Sequence, residues 1–422
     1  MPVVTIEATT IYPRKFYRWT LVAAGFLINI CLGSIYSYSV FRQPLEGLWC
    51  LSSTESGLPF MVFLASFAFT MPLAGGLLDK FGPRTAGILG SVLVGLGWIL
   101  ASQSPDIYLL TVLYGVLGGV GVGIVYGAPI AVAARWFRER AGAAMGLTLL
   151  GFGVSPLITA PIMSSLILSI GPLQTFMYFG AGYLIILLIL SIPLKFPPDT
   201  ISQSTGKAWI PAASRQLGRG EMLRTRAFYA LWSTFMLGCL SGLMAIGIAA
   251  PCGHEIAGIG PEVSAIAVSA FAVFNGVGRP LFGWLTDRLE PRRTAYISFC
   301  IIGFASTLLY VYGRENVMVY FVGFALLWLS LGGWLAIAPA ATKIFFGTKH
   351  YGKNYGLVFT AYGVGAILGM LSSGWLKDAT GTYLTVFPVV SALSVAGLAI
   401  AHLALKPPVK RPPKFGDMFF LR

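Results

Sequence analysis

The chain has 422 residues, of which 56% are hydrophobic and only 10% are charged, and its mean hydropathy is +0.78. A soluble core of this size could not hide so much apolar surface, which excludes an ordinary soluble enzyme. Because a membrane helix needs about 20 apolar residues, the chain can hold roughly a dozen membrane-spanning segments. The net charge of +14 would suggest nucleic-acid binding in a soluble protein, but it must first be compared with the membrane topology.

Twelve apolar segments follow one another along the sequence. They predict an all-α membrane protein with twelve transmembrane helices in two six-helix bundles related by pseudo-symmetry. The predicted spans are approximately 18 to 41, 56 to 78, 85 to 103, 107 to 134, 141 to 167, 173 to 195, 227 to 250, 262 to 286, 294 to 312, 316 to 342, 354 to 376 and 382 to 405.

The polar stretches divide this pattern into domains. The longest one, residues 196–226, contains PPDTISQSTGK and predicts a cytoplasmic linker between bundles 18–195 and 227–405. Residues 1–17 are polar and lack a small-residue cleavage site, so we predict a retained cytoplasmic tail instead of a signal peptide. The prolines and lysines of residues 406–422 exclude a further span and predict a second cytoplasmic tail.

The basic residues are distributed asymmetrically about these spans. With both termini in the cytoplasm, the outward loops hold only Arg42, Arg314 and Lys377, while Arg279 lies inside a span. The other basic residues face inward, which is the positive-inside pattern of multi-pass membrane proteins. The basic excess therefore orients the protein, and no nucleic-acid partner is expected.

A ten-residue motif occurs twice, at an offset of 208 residues: GGLLDKFGPR from Gly75 and GWLTDRLEPR from Gly283. This pattern resembles the loop signature of the major facilitator superfamily, whose two six-helix halves alternate access to a central site. We expect its charged residues to form ion pairs that hold the halves together in one state and break in the other. The alternative is a set of merely solvated loop charges. The residues are Asp79, Lys80, Arg84, Asp287, Arg288 and Arg292.

The fourth span carries glycines at a strict spacing of four. Gly115, Gly119, Gly123 and Gly127 put four positions without side chains in one line. Such a line predicts the close approach of another helix, for packing and sliding, and offers no chemistry of its own.

Arg279 is the one cation deep inside a predicted span, and every acidic residue lies near a membrane edge or in a loop. An arginine there costs about 2.5 to 3.5 kcal/mol, so it needs a water-filled cavity or an anionic partner. We infer that the partner arrives from outside, most simply as a carboxylate bound by both arms of the guanidinium. The alternative is that Arg279 binds carbonyls at a helix break near Gly276, Gly278 and Pro280. Asn275, on the same helical face, could orient the guanidinium, bind the substrate or simply pack.

Five stretches make the resemblance more specific. They resemble the oxalate:formate antiporter and monocarboxylate transporter branch, including bacterial homologues of the animal lactate carriers (solute carrier family 16), over nearly the whole chain. In that branch the eighth-helix arginine, here Arg279, binds the substrate carboxylate, and the resemblance implies a plasma (inner) membrane location. The stretches are GVGIVYG (121–127), ARWFRERAGAAMGLTLLGFG (134–153), GEMLRTRAFYALW (220–232), NGVGRPLFGWLTDR (275–288) and KNYGLVF (353–359).

Departures from that resemblance indicate the substrate class. The antiporter pattern has a lysine where this chain has Tyr362, and one remaining cation suggests one carboxylate. Two aromatic positions of the antiporter are Leu331 and Leu335 here, which favours a small alkyl group, as in lactate, pyruvate or a short fatty acid. The animal carriers have an aspartate where this chain has Asn275, so their protonatable side chain is absent.

Helical spacing adds further candidates for the pocket. Asn29 and Tyr36 share a face of the first span, Tyr126 closes the glycine line, and Phe359 and Tyr362 are three residues apart. Tyrosines can donate to a carboxylate or hydroxyl, and aromatic walls can hold an alkyl group. For each of these residues, ordinary helix packing is the alternative.

His254 and Glu255 are the best remaining candidates for a proton-carrying site, because histidine is the side chain most readily protonated near neutral pH. They follow Pro251 and Gly253, where we expect the seventh span to end on the outward side. A solvated loop pair is the alternative.

These observations predict a secondary transporter of a small monocarboxylate such as L-lactate or pyruvate, in which Arg279 pairs the anion and a co-transported proton balances its charge. The alternatives are anion exchange of the oxalate:formate type and a transport-incompetent sensor or scaffold. No nucleophile–base pair, Walker loop or metal cluster is visible in the sequence, so we expect no enzyme activity, cofactor or metal. The expected partners are the substrate, a proton and the lipid bilayer, and we expect a monomer.

Overall fold

The computed structural model describes residues 14–137, 141–197, 216–347 and 350–408, without the side chains of residues 14–16, 79 and 141–143. Most of the predicted linker and most of both predicted tails lie outside the described residues. The described residues form helices and no strand. The helices are Arg14–Gly33, Ser39–Trp49, Ser53–Ala101, Ile107–Leu110, Gly119–Trp136, Ala141–Ile170, Pro172–Ser191, Arg219–Leu223, Arg226–Ala257, Pro261–Tyr312, Val317–Phe346, Tyr351–Thr380 and Val386–Leu403, with tighter turns at Ser34–Ser37 and Tyr383–Thr385 and a wider one at Thr111–Gly118.

Eleven helical stretches of the described chain are long and apolar enough to cross a membrane. One of them has 52 residues and is broken at Glu290, so it crosses twice, and the prediction of twelve spans is confirmed. In chain order, spans 1 to 12 are Tyr17–Ser37, Ser53–Leu78, Lys80–Ala101, Ile107–Trp136, Ala144–Ile170, Pro172–Ser191, Arg226–Ala257, the two parts of Pro261–Tyr312, Val317–Phe346, Tyr351–Thr380 and Tyr383–Leu403.

Spans 1–6 and spans 7–12 form two bundles that meet mainly where span 2 packs against span 11 and span 5 against span 8. The ends of the spans lie on two faces. We call the face with the two repeated loops the motif face and the opposite one the distal face. Basic residues predominate on the motif face, whereas on the distal face acidic residues (Glu46, Glu55, Asp106, Glu255, Glu262, Glu315, Asp378) outnumber basic ones (Arg42, Arg314, Lys377).

The sequence repeat is also a backbone repeat. Gly82 (φ 80°, ψ 169°) and Glu290 (φ 70°, ψ 154°) interrupt the helix at equivalent places in the two motifs, each directly before a proline. A residue before proline avoids the helical conformation, and proline is well suited to begin the next helix. The left-handed break costs glycine little but strains glutamate.

Replacing Glu290 by glycine is expected to stabilise the protein by about 1 kcal/mol, because glycine adopts the positive φ without the clash of a Cβ atom. Thermal unfolding of the purified protein in detergent measures this as a rise in Tm. Gly82→Ala is the matched change in the other half and is expected to lower Tm. Equal Tm values for Glu290→Gly and the wild type would contradict the assignment of strain.

The glycine line of span 4 packs against span 2. A Cβ atom on Gly119 would lie 2.8 Å from Ser66 Cβ, and one on Gly123 would lie 2.9 Å from the Phe67 carbonyl oxygen. Gly115 also lies against span 2, whereas Gly127 has open space around it. The predicted close helix approach is therefore confirmed for the first three glycines only.

The predictions that Arg42 and Lys377 lie in outward loops are wrong. Lys377 belongs to the last turn of the helix Tyr351–Thr380. The tight turn Ser34–Ser37 lets the chain continue beyond span 1 as the helix Ser39–Trp49, which contains Arg42. The Arg42 side chain has 0% exposure. Counting charged residues near the membrane edge assumes that each of them is exposed to solvent. Tertiary packing buries Arg42, so the assumption fails for this residue.

The prediction that span 7 ends near Pro251 and Gly253 is also wrong. The helix contains Pro251 and continues to Ala257, where Gly258 ends it with a φ of 65°. Proline is tolerated inside a membrane helix when neighbouring groups satisfy the carbonyl that loses its partner. His254 and Glu255 are therefore on the last helical turn.

Candidate functional site

Arg279 lies where span 8 crosses span 5 of the other half. Its Nη1 donates a hydrogen bond to the Leu149 carbonyl oxygen at 2.7 Å, and the guanidinium carbon lies 6.0 Å from the centre of the Phe152 ring. The Nε and Nη2 atoms are buried and have no hydrogen-bond partner among the described residues. Buried donors without partners are costly, and an anion that accepted from both would remove that cost.

This geometry does not fit the alternative in which Arg279 binds carbonyls at a break in span 8. The helix continues through Gly276, Gly278 and Pro280 as far as Glu290. The carbonyl that accepts from Arg279 belongs instead to span 5, so the guanidinium links the two halves.

Asn275 and Gly153 lie in close contact at this crossing. The Asn275 amide nitrogen donates to the Trp328 carbonyl oxygen of span 10 at 3.2 Å, while its Oδ1 is buried without a partner. A Cβ atom on Gly153 would lie 2.9 Å from that Oδ1 and 3.2 Å from Arg279 Nε. Span 5 can approach here because Gly153 has no side chain. The amide of Asn275 is thus held by span 10, and its free oxygen faces the same region as the free donors of Arg279.

Two tyrosines join the halves at the same level. The hydroxyl groups of Tyr36 and Tyr362 are 2.8 Å apart and share a hydrogen bond. The hydroxyls of Tyr36 and Tyr126 lie close to the Arg279 guanidinium. Of the predicted pocket residues, the structure therefore brings Tyr36, Tyr126 and Tyr362 together around Arg279 and its neighbours.

Buried aromatic rings fill the space around these hydroxyls. The Phe152 ring is 5.1 Å from Tyr36 and 5.5 Å from Tyr126, and the rings of Phe359 and Tyr362 stack at 4.9 Å. We call this set the aromatic cluster: Tyr36, Phe67, Tyr126, Phe152, Phe359 and Tyr362. Its members come from both halves, so the halves cannot separate without parting these rings.

Three predicted pocket residues make their described contacts elsewhere. Asn29 donates to the Gly25 carbonyl oxygen of its own helix at 2.9 Å. Leu331 is buried against Gly242 of span 7, and Leu335 is partly buried. Tyr36 lies in the tighter turn Ser34–Ser37, whereas Asn29 lies in the helix before it.

The two proton-site candidates lie on the distal face. His254 is exposed. The Glu255 carboxylate pairs with Lys377 and accepts hydrogen bonds from Thr382 Oγ1 at 2.6 Å and from the Tyr383 amide at 2.8 Å. These contacts tie span 7 to spans 11 and 12 within one half.

The predicted gate residues of the motif face make local contacts. Arg288 stacks on Trp284, Arg292 donates to Tyr296 at 2.7 Å, and Lys80 lies over the Phe81 ring. Arg84 and Asp287 are exposed, and the Asp79 side chain lies outside the described part of the structure. The described residues show no ion pair between the halves on this face, and the gating role stays a prediction.

Sequence reasoning missed Gly153, Phe152, Trp328 and the Leu149 carbonyl. Their contribution comes from the crossing of helices that are 53 residues apart in sequence for Trp328 and more than 100 residues apart for the other three. The spacing of residues along a single helix does not predict a contact with another helix.

Comparisons with known proteins agree with this architecture. The Major Facilitator Superfamily profile matches residues 20–251 and 240–419. The chain is 30% identical to the oxalate:formate antiporter of Oxalobacter formigenes over 95% of this chain and 93% of that protein, and 27% identical to monocarboxylate transporter 13 of Bos taurus over 92% and 89%. Among solved structures, a bacterial homologue of the human lysosomal transporter Spinster, in an inward-facing and occupied conformation, superimposes with a TM-score of 0.72 at 15% identity, over 93% of this chain and 97% of that one.

Proposed function

We propose that this chain, which belongs to the major facilitator superfamily of membrane transporters, carries a small monocarboxylate such as L-lactate or pyruvate together with a proton, by alternating access. The observation that supports this proposal is the Arg279 guanidinium, which has two buried donors without partners at the junction of the halves. A carboxylate has two acceptor oxygens in the geometry that such a fork prefers. The relatives named as carboxylate transporters support the same substrate class.

The surroundings of Arg279 favour a substrate with one carboxylate. Tyr362 stands where the antiporter pattern has a lysine, and its hydroxyl is bonded to Tyr36. Neutral hydroxyls can bind the oxygen of a hydroxy acid or keto acid, whereas the aromatic cluster suits its short carbon chain. A second carboxylate would be buried in this site without a cation, which is costly. We assign substrate contacts to Arg279, Asn275 and the hydroxyls of Tyr36, Tyr126 and Tyr362.

Charge balance supports proton coupling. A carboxylate bound to Arg279 neutralises the cation, and the carrier then crosses between states without net buried charge. A proton carried with the anion makes the whole cycle electroneutral and lets a proton gradient drive accumulation. His254 and Glu255 are candidates for this proton.

Anion exchange is the second candidate function. It is favoured by the 30% identity to a relative named as an oxalate:formate antiporter over nearly the full length of both chains. In that cycle a second anion, and not a proton, returns the carrier to its first state.

We place the protein in a plasma (inner) membrane as a monomer, with the distal face outward and both termini in the cytoplasm. The basic excess of the motif face supports this orientation through the positive-inside rule. The predicted domain boundaries, with bundles 18–195 and 227–405, belong to the same proposal.

The test is uptake of labelled L-lactate into vesicles that contain the purified protein. We expect an inwardly directed proton gradient to drive accumulation above equilibrium, and a protonophore to abolish it. Protein-free vesicles control for diffusion of the protonated acid. If uptake instead ignores the gradient and rises when the lumen is loaded with formate or another carboxylate, symport is wrong and exchange replaces it.

A further inference from the structure

Asp378 at the end of span 11 caps span 2 of the other half. Its two carboxylate oxygens accept from the backbone amides of Ser53 at 2.8 Å and Thr54 at 2.9 Å, and the Thr54 hydroxyl donates to the same carboxylate. These amides belong to the first turn of span 2, whose N-terminus has a positive partial charge. The fit is close, since a Cβ atom on Gly374 would lie 2.6 Å from Thr54 Cα.

Arg42 makes a second connection across the same boundary. Its guanidinium donates to Ser56 Oγ at 3.0 Å and to the Ser53 carbonyl oxygen within its own half, and to the Gly247 carbonyl oxygen of span 7 at 3.3 Å. Glu46 lies 3.8 Å from it and balances part of its charge. The side chain has no exposed surface, so all of these contacts are protected from water.

The sequence of span 7 explains why the Gly247 carbonyl is available. In an α-helix that carbonyl would accept from the amide four residues later, which is position 251. Pro251 has no amide hydrogen, so the Gly247 oxygen lacks its helical donor. Arg42 supplies the missing donor from the other half, and the proline inside span 7 therefore creates an acceptor for a contact between the halves.

We propose that Asp378 and Arg42 form a latch that holds the distal face closed, and that release of this latch is the step by which the carrier opens to that side. Both contacts join the halves, and both would break if spans 1 and 2 moved away from spans 7 and 11. The proposal rests on alternating access and not on the identity of the substrate.

The test measures the separation of the halves without any substrate. A spin label on the exposed native Cys50 reports on one half, and a second label on Met318→Cys, whose side chain is 71% exposed, reports on the other. Cys300→Ser removes the other exposed thiol, and a count of two labels per molecule shows that the three buried cysteines stay unlabelled. Distance distributions from pulsed electron paramagnetic resonance then give the ratio of distal-open to distal-closed molecules.

In Asp378→Ala we expect this ratio to rise about fivefold, the usual effect of losing one helix cap. Asp378→Asn keeps one acceptor oxygen and should give a smaller rise. Asp106→Ala is the matched control, because Asp106 is also exposed on the distal face and caps a helix, but within one half. Arg42→Gln should give the largest rise, and the exposed Asp378 variants keep the test valid if that buried change impairs folding.

Two results would overturn the latch. One is a distance distribution in Asp378→Ala that equals that of the wild type. The other is an equal shift in Asp378→Ala and Asp106→Ala, which would mean that any lost cap loosens this face. Because the measurement needs no lactate, failure of the carboxylate proposal would leave its outcome unaffected.

Discussion

Replacing Arg279 by alanine is expected to lower carboxylate uptake about 100-fold, which corresponds to about 3 kcal/mol for the loss of one partner of a buried charge pair. The alanine variant lacks the guanidinium that pairs with the carboxylate, so the carboxylate would be buried without that compensation. Initial rates of L-lactate uptake in vesicles measure the effect. Binding, followed as the rise in Tm caused by lactate in detergent, should be lost in parallel.

A lysine at position 279 tests whether substrate binding needs only a positive charge or also the geometry of the guanidinium. It keeps the positive charge but lacks the planar fork, so it cannot present two parallel N–H donors to a carboxylate. We expect Arg279→Lys to retain less than about a tenth of the wild-type rate. Arg293→Ala, an exposed arginine of span 9, is the matched control and should transport normally. Wild-type uptake by Arg279→Ala would refute the proposed binding role and favour a different site or a protein that senses its ligand without transporting it.

A methyl group at Gly153 is expected to lower transport about tenfold or more, although Gly153 itself offers no functional group. The new Cβ atom of Gly153→Ala would lie 2.9 Å from Asn275 Oδ1 and 3.2 Å from Arg279 Nε, so both side chains must move. Displacement of a binding group by a fraction of an ångström is enough to impair a well-oriented site. The measurement is the KM for uptake, which should rise more than the maximal rate falls.

Gly146→Ala provides the control for this change. Gly146 is on the same helix, and a Cβ atom there would have nothing within 4 Å. Both variants replace glycine by alanine in one helix, so they share any gain in helix propensity. If Gly153→Ala and Gly146→Ala transport equally well, span 5 does not position Asn275 and Arg279.

The sequence was sufficient to predict twelve spans and the repeat, and it singled out Arg279 as a candidate. These predictions rest on local signals, since apolar length defines a span and an uncompensated cation inside one stands out against its neighbours. The contact of Gly153 with Asn275, in contrast, depends on where two distant helices cross. Arg42 shows the same limit, because its charge looked like that of a loop residue until the turn after span 1 placed it against Gly247.

The positions of the individual tyrosines could be predicted from the sequence only in part. Tyr36 and Tyr362 could each be chosen as candidates from helical spacing and resemblance. Their mutual hydrogen bond across the two halves could not be predicted, because it needs the relative position of span 1 and span 11. Asn29 was chosen by the same spacing rule, and its amide donates to the Gly25 carbonyl oxygen of its own helix instead.

The unequal charge of the two faces makes the carrier electrostatically asymmetric. Carboxylates outnumber cations on the distal face, so an approaching anion is repelled there while cations, including protons, are enriched at the entrance. The basic motif face has the opposite effect and concentrates anions. One binding site should therefore show a higher apparent affinity for its anion from the motif side than from the distal side at low ionic strength. That difference should shrink as salt reduces the Debye length towards about 8 Å. At low ionic strength the two directions of transport are therefore kinetically unequal, although the binding site itself is unchanged.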